Sequence, residues 1–272
     1  MAAVNFRAEF GRIDVNLERV AGWAERLAQK GVQLVCLPEL CLCGYSHTAV
    51  MASLSQAIPG WVTNRLVEIA ARSGVTLLAG LSEVDDAGRR FISHVVATPE
   101  GLKGVYRKTH LGPLEQETFH PGEDVGVFVL DGCTVGLQLC YDSHFPELAT
   151  LQALAGAKIL FVAFATPRDN PQGLRERLLR YLPARAYDNG CYVVACSLAG
   201  DDGTGRAFPG VAVIVGPKGE LLAESAGWEE GAAIVHLNGD AVMRIRQTNM
   251  GYFLDHRRPE LYRRLTDGTA LG

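Results

Sequence analysis

No stretch of this sequence approaches the roughly 18 consecutive apolar residues that a membrane-spanning helix needs. The opening residues, MAAVNFRAEF, lack the cationic start and long apolar core of a secretory signal. Positive charge is not in excess. With 26 Lys and Arg against 30 Asp and Glu, the net charge is −4, and the broad basic surface that nucleic acid or an anionic membrane requires is missing. The densest basic run is Arg175, Arg177, Arg180 and Arg185, interleaved with leucines and Glu176. It reads as the solvated face of an amphipathic helix. A disulfide framework is lacking too: the seven cysteines are an odd number without framework spacing. The expectation is free thiols and a cytoplasmic location. There is no low-complexity segment, linker or short-period repeat, so a single domain over residues 1–272 is the simplest reading. Its last part, about 240–272, is a more weakly patterned tail suited to packing on a partner subunit.

What is present is an ordinary globular composition, 48% apolar and 21% charged, long enough for a large core. Leu17, Val20, Ala21, Ala24 and Leu27 recur at three and four, one face of a helix that Asn16 or Asp14 would cap and Gly31 would end. Val32 to Leu37 then reads as a buried strand stopping at Pro38. The unit recurs, with a helix over Trp61 to Ser73 and a strand from Val75 to Ala79. Arg90 to Thr98 and Leu102 to Lys108 are extended runs around Pro99-Glu100-Gly101. Val125 to Leu130 and Thr134 to Leu139 flank Asp131-Gly132, a hairpin signal. Further on, Pro146 opens a helix that Gly156 closes, and Lys158 to Ala165 is a strand. Residues 173 to 189 read as a helix kinked at Pro183. Cys191 to Cys196, Val211 to Val215, Glu220 to Ala223 and Ala232 to Leu237 complete the strands, with a second hairpin at Pro217-Lys218-Gly219. Tight turns between some strands and helices between others imply mixed sheets with helices on their outer faces, an α/β fold.

Three reactive side chains follow predicted strands: Glu39, Lys108 and Cys140. Rigid strand ends fix backbone position while leaving side chains accessible. Together the three types suit acyl transfer. A thiol attacks as thiolate, a carboxylate takes its proton, and an ammonium with the backbone N–H of Tyr141 stabilises the oxyanion. Each residue alone has an ordinary reading as well, a small buried hydrophobe for the cysteine and solvated loop charges for the others. Spacing by itself does not bring them together.

The segments LPELCLCGYS (37–46), YRKTHLGPLEQETFHPGED (106–124) and LCYDSHFPELA (139–149) resemble the three signature blocks of the nitrilase, or carbon–nitrogen hydrolase, superfamily. The similarity runs over roughly residues 3 to 237. The resemblance implies a four-layer α-β-β-α sandwich with two mixed β-sheets and a Glu39–Lys108–Cys140 triad. It also implies homodimers or larger assemblies and no metal or organic cofactor. A second family glutamate precedes a Phe-x-Pro-Gly stretch. Glu115, four residues before Phe119, fits that placement better than Glu117.

Cys140-Tyr141-Asp142 followed by Phe145-Pro146-Glu147 looks like amidases, omega-amidases and carbamoyl hydrolases rather than nitrile hydrolases. The expected activity is hydrolysis of a small linear amide or carbamoyl compound through a thioester. A nitrile hydrolase or a soluble acyltransferase on the same scaffold is the alternative. Ser143 and His144 stand where carbamoyl hydrolases have arginines, so carboxylate recognition from that loop is not expected; His144 could donate to a polar substrate group, as Tyr141 could. A remoter reading, a metal-binding or interaction module, rests on Cys36, Cys41, Cys43 and His47, whose spacing does not match paired zinc ligands. A member of the family without activity is disfavoured because all three triad positions hold the expected residue types.

Overall fold

The structure is a computed structural model that describes residues 1–167 and 170–266; positions 267–272 of the expected tail lie outside the described residues. The first half runs β1 (Ala2–Asn5), α1 (Ile13–Ala28), β2 (Leu34–Cys36), α2 (Trp61–Ser73), β3 (Thr76–Val84), β4 (Arg90–Thr98) and β5 (Gly101–Arg107). β1, β2 and β3 pair in parallel, and β3, β4 and β5 continue as an antiparallel meander. Parallel neighbours need long crossovers, and here the helices α1 and α2 supply them. Both helices cover the outer face of this sheet, and Gly74 in the left-handed region ends α2. Asn16 does not cap α1. It lies inside the helix, fully buried, and its amide ties the loop at Glu9 to Leu42 O.

The second half repeats the plan. It comprises β6 (Val127–Leu130), β7 (Cys133–Leu139), α3 (Pro146–Leu154), β8 (Ile159–Phe164), α4 (Pro171–Leu179), α5 (Leu182–Asn189), β9 (Tyr192–Ser197), the two-residue β10 (Gly200–Asp201) and β11 (Ala207–Phe208), β12 (Gly210–Val215), β13 (Leu221–Gly227), β14 (Gly231–Ile234), α6 (Gly239–Arg246) and α7 (Pro259–Thr266). β7, β8 and β9 are parallel, with antiparallel strands on both sides, in the order β13-β12-β9-β8-β7-β6. The Asp131-Gly132 turn has both residues at positive φ, 47° and 75°, as a tight hairpin of matching twist demands. The expected helix over 173–189 is two helices. The chain breaks at Arg180-Tyr181, and Pro183 sits in the first turn of α5, where its missing N–H costs nothing.

β14 crosses to the first sheet beside β1, giving the order β14-β1-β2-β3-β4-β5. β1 sits second from the edge of that sheet and was not legible as a strand, because four residues carry too little periodicity. The two sheets pack face to face over one apolar layer including Val4, Leu37, Leu137, Phe161, Val194 and Ile214. A second cluster, including Leu174, Leu178, Val193 and Val213, lies between the second sheet and α3 to α5. The result is the α-β-β-α sandwich. α6 folds back on its own chain: Val242 is buried, and Arg246 hydrogen-bonds Ala157 O and the Cys191 thiol. Among the described residues no helix is long and apolar enough to cross a membrane.

Candidate active site

Glu39 leaves the end of β2, Lys108 the end of β5 and Cys140 the end of β7. Two of these departures are strained. Cys140 itself has φ 42°, and Leu40, next to Glu39, has φ 53°. Side chains with a Cβ avoid that region, so the surrounding structure must hold them there, as often happens at functional sites. Gly80 on β3 lets the Glu39 turn approach, because a Cβ there would collide with Leu40 N and Pro38 O.

Lys108 is 1% exposed and Glu39 0%, so neither charge is stable without the other. Lys108 Nζ donates to Glu39 Oε1 at 2.8 Å and to the two Glu115 oxygens at 2.9 and 2.8 Å. Glu115 also accepts from Gly112 N–H at 2.8 Å and from the Tyr45 hydroxyl at 3.3 Å. Glu117 is exposed, so of the two candidate glutamates only Glu115 reaches this cluster. Glu39 Oε2 is buried and has no hydrogen-bond partner among the described residues.

The charges act on one another. Burial raises the Glu39 carboxyl to about 7, with Lys108 opposing the rise and Glu115 adding to it. Burial, then the negative Glu39, raise the Cys140 thiol to about 12, while Lys108 and a hydrogen bond with Thr166 pull it down. Burial works against the Lys108 ammonium, but Glu39, Cys140 and Glu115 outweigh it and hold Lys108 well above its ordinary value.

Asp142, fully buried, binds the Lys108 loop and the Cys140 turn together. It accepts from Leu139 N–H at 2.9 Å on the Cys140 side. From the Lys108 side it accepts the Tyr106 hydroxyl at 2.7 Å, the Thr109 hydroxyl at 2.9 Å and His110 N–H at 2.8 Å. The His110 ring stacks on Phe145, centroids 4.0 Å apart.

Cys140, Lys108 and Glu115 open onto a pocket of about 400 Å³, with Tyr141, Thr166, Leu114 and Arg177 among its walls. A larger hollow of about 560 Å³ between α3, α5 and the tail holds no cysteine or lysine. Tyr141 lines the smaller pocket. His144 does not; its ring leans on Tyr181, 5.0 Å between centroids, outside the wall. The basic run is not uniformly solvated either. Arg175 is paired with Glu224 at 2.6 Å on the surface, but Arg177 turns into the pocket and Arg185 is half-buried. Tyr45 and Asp142 were visible within the matching segments, though not as site residues. Thr166, Arg177 and Arg206 carried no sequence signal, because only the fold brings their loops and helix to Cys140. The thiols of Cys41 and Cys43 are turned to backbone carbonyls of Gly80 and Leu40, and His47 stands in the pocket wall; among the described residues these side chains form no group that could hold a metal ion.

A thiol beside a buried carboxylate–ammonium pair, at the strand ends of an α-β-β-α sandwich, is a hydrolase architecture acting on carbon–nitrogen bonds. The chain belongs to that family: the carbon–nitrogen hydrolase family matches over residues 2–247. Within it, the chain is a hydrolase of the amidase type. It is 34% identical to an omega-amidase of Xenopus tropicalis, over 85% of this chain and 86% of that one. It is 32% identical to a protein of Pyrococcus abyssi named a nitrilase, over 96% and 98%. Among solved structures, the amidase of Nesterenkonia sp. superposes with a TM-score of 0.82 at 30% identity, over 97% and 98% of the two chains. That form shows acrylamide added to the active-site cysteine. A cysteine-to-alanine form of the same amidase, in complex with butyramide, superposes at 0.81 with 31% identity, over 96% and 95%.

Proposed function

We propose that this chain hydrolyses a small linear amide through a thioester on Cys140, with Glu39 as base and Lys108 as oxyanion stabiliser. The observation that carries the reading is the buried ammonium of Lys108, held between Glu39 and Glu115 beside the thiol. With the thiol near 12, the resting nucleophile is neutral, so its proton passes to Glu39 as sulfur attacks the carbonyl carbon. The S–C bond forms as the C=O π pair moves onto oxygen, where Lys108 and the Tyr141 N–H receive the charge. Collapse breaks the C–N bond, and Glu39 returns the proton to the departing amine. Water then attacks the thioester, giving its proton to Glu39; the acid leaves and Cys140 recovers its proton. Glu115 keeps Lys108 oriented and charged throughout. No step needs a metal or organic cofactor. The modified cysteine and the butyramide complex of the Nesterenkonia amidase support this assignment. One domain, assembled as a homodimer or larger and working in the cytoplasm, belongs to the same proposal.

The test is ammonia release from short amides, omega-amides, carbamoyl compounds and nitriles. Cys140→Ala should lose activity by at least about 10³-fold while melting within a few degrees of wild type. Full activity in that variant would remove the proposal. Turnover of nitriles alone would replace the amide by a nitrile as substrate.

A further inference from the structure

The backbone around Cys140 is pinned on both sides. Upstream, Leu139 N–H donates to Asp142; downstream, the Ser143 hydroxyl donates to Cys140 O at 2.6 Å. These bonds hold the residue at φ 42° but leave its sulfur free to turn about the Cα–Cβ bond. A second segment meets that sulfur. β7 and β8 run parallel with Leu139 beside Ala163, so Cys140 and Thr166 leave the same end of adjacent strands. Both line the same pocket, and the Thr166 side chain hydrogen-bonds the Cys140 thiol. The charged groups at the pocket floor are engaged elsewhere. Lys108 Nζ gives its hydrogen bonds to Glu39 Oε1 and to both Glu115 oxygens. Glu39 Oε2 has no hydrogen-bond partner among the described residues, so the thiol is not tied to it. A hydroxyl can donate or accept, whereas a thiolate only accepts. Donation from Thr166 therefore favours the sulfur anion and leaves the thiol proton free for the open oxygen of Glu39.

Resting on the thioester mechanism above, we propose that Thr166 is a positioning residue for Cys140: its hydroxyl donates to the sulfur, fixes the direction in which the nucleophile faces substrate, and steadies the thiolate as it forms. The proton that leaves sulfur goes to Glu39, and Thr166 keeps its own throughout. This gives a role to the segment after β8, which lies outside the three stretches that carry Glu39, Lys108 and Cys140.

Alkylation of Cys140 by iodoacetamide reads the sulfur directly and needs no substrate. Peptide mass spectrometry locates the adduct and separates it from one on the partly exposed Cys133. Below the pH at which the thiol ionises, about 12, the rate follows the small thiolate fraction. Thr166→Val keeps the volume and removes the hydroxyl. It should slow alkylation about threefold or more at every pH in that range. With an amide that the wild type cleaves, kcat should fall by a similar factor while KM changes little. Thr166→Ser returns the hydroxyl and should bring both rates to within about twofold of wild type. Thr166 is partly exposed, and Thr166→Ala supplies a second form without the hydroxyl should the valine form not fold. Wild-type alkylation in the forms that lack the hydroxyl overturns the inference. So does a serine form as slow as the valine form, because packing alone would then account for the loss. If the wild type cleaves amides and Thr166→Val both alkylates and turns over normally, this inference alone fails. If the wild type cleaves no amide, the hydrolytic reading fails, and the alkylation series still decides whether Thr166 acts on the sulfur.

Discussion

Glu39, the base of the proposed mechanism, is a carboxyl whose ionisation burial moves to neutral pH. Its carboxyl is raised to about 7 in the folded chain from 4.5, chiefly by burial. A base must be deprotonated to accept the thiol proton, so kcat/KM should rise with pH along a limb centred near 7. The stability consequence has the opposite sign. Between 4.5 and about 7 the native carboxyl holds its proton and the unfolded one does not, so this group favours folding at low pH and the benefit fades as pH rises through that window. Glu115 contributes to the rise through its negative charge. Glu115→Gln removes that charge while keeping an oxygen for Lys108, and the acidic limb of kcat/KM should move to lower pH. A limb that stays in place would show that Glu115 does not act on Glu39 electrostatically.

At the scale of elements, the proposed catalytic side chains depend on how three strand ends are held against one another. Gly80 on β3 leaves space for the turn that carries Glu39. Gly80→Ala forces the Pro38–Leu40 backbone away, and should lower kcat as well as stability, the latter by about 1–3 kcal/mol, the usual cost of overpacking. Asp142 joins the Lys108 loop to the Cys140 turn through charge-assisted hydrogen bonds. Asp142→Asn keeps the size but turns one acceptor into a donor facing N–H and O–H groups. A loss of about 3 kcal/mol, read from urea unfolding, is expected, together with a fall in kcat larger than any change in KM. An unaltered kcat would mean that the two loops keep their geometry without this carboxylate.

For the whole molecule, the layer between the sheets is the shared foundation of both halves of the candidate site. Ile214 on β12 is fully buried in it, opposite the first sheet. Ile214→Ala should cost about 2–5 kcal/mol in chemical unfolding, with the pH limb of any residual activity unchanged, since no charge at the site is touched. Much of this architecture was legible in the chain. Strands buried on both faces, such as β8 and β9, read as unbroken apolar runs, the helices as three-and-four periodicity, and the hairpin as Asp131-Gly132, because each pattern is local. The reactive positions of Glu39, Lys108 and Cys140 at strand ends were local as well, and their surrounding motifs named the family. Local pattern could not show that β1 and β14 pair across the length of the chain. Nor could it show that Pro183 starts a helix instead of bending one, or that Arg177 leaves a solvated helix face for a pocket wall. Those outcomes depend on which surfaces meet when the two sheets pack, and a contact between residues far apart in sequence leaves no periodic trace in either segment.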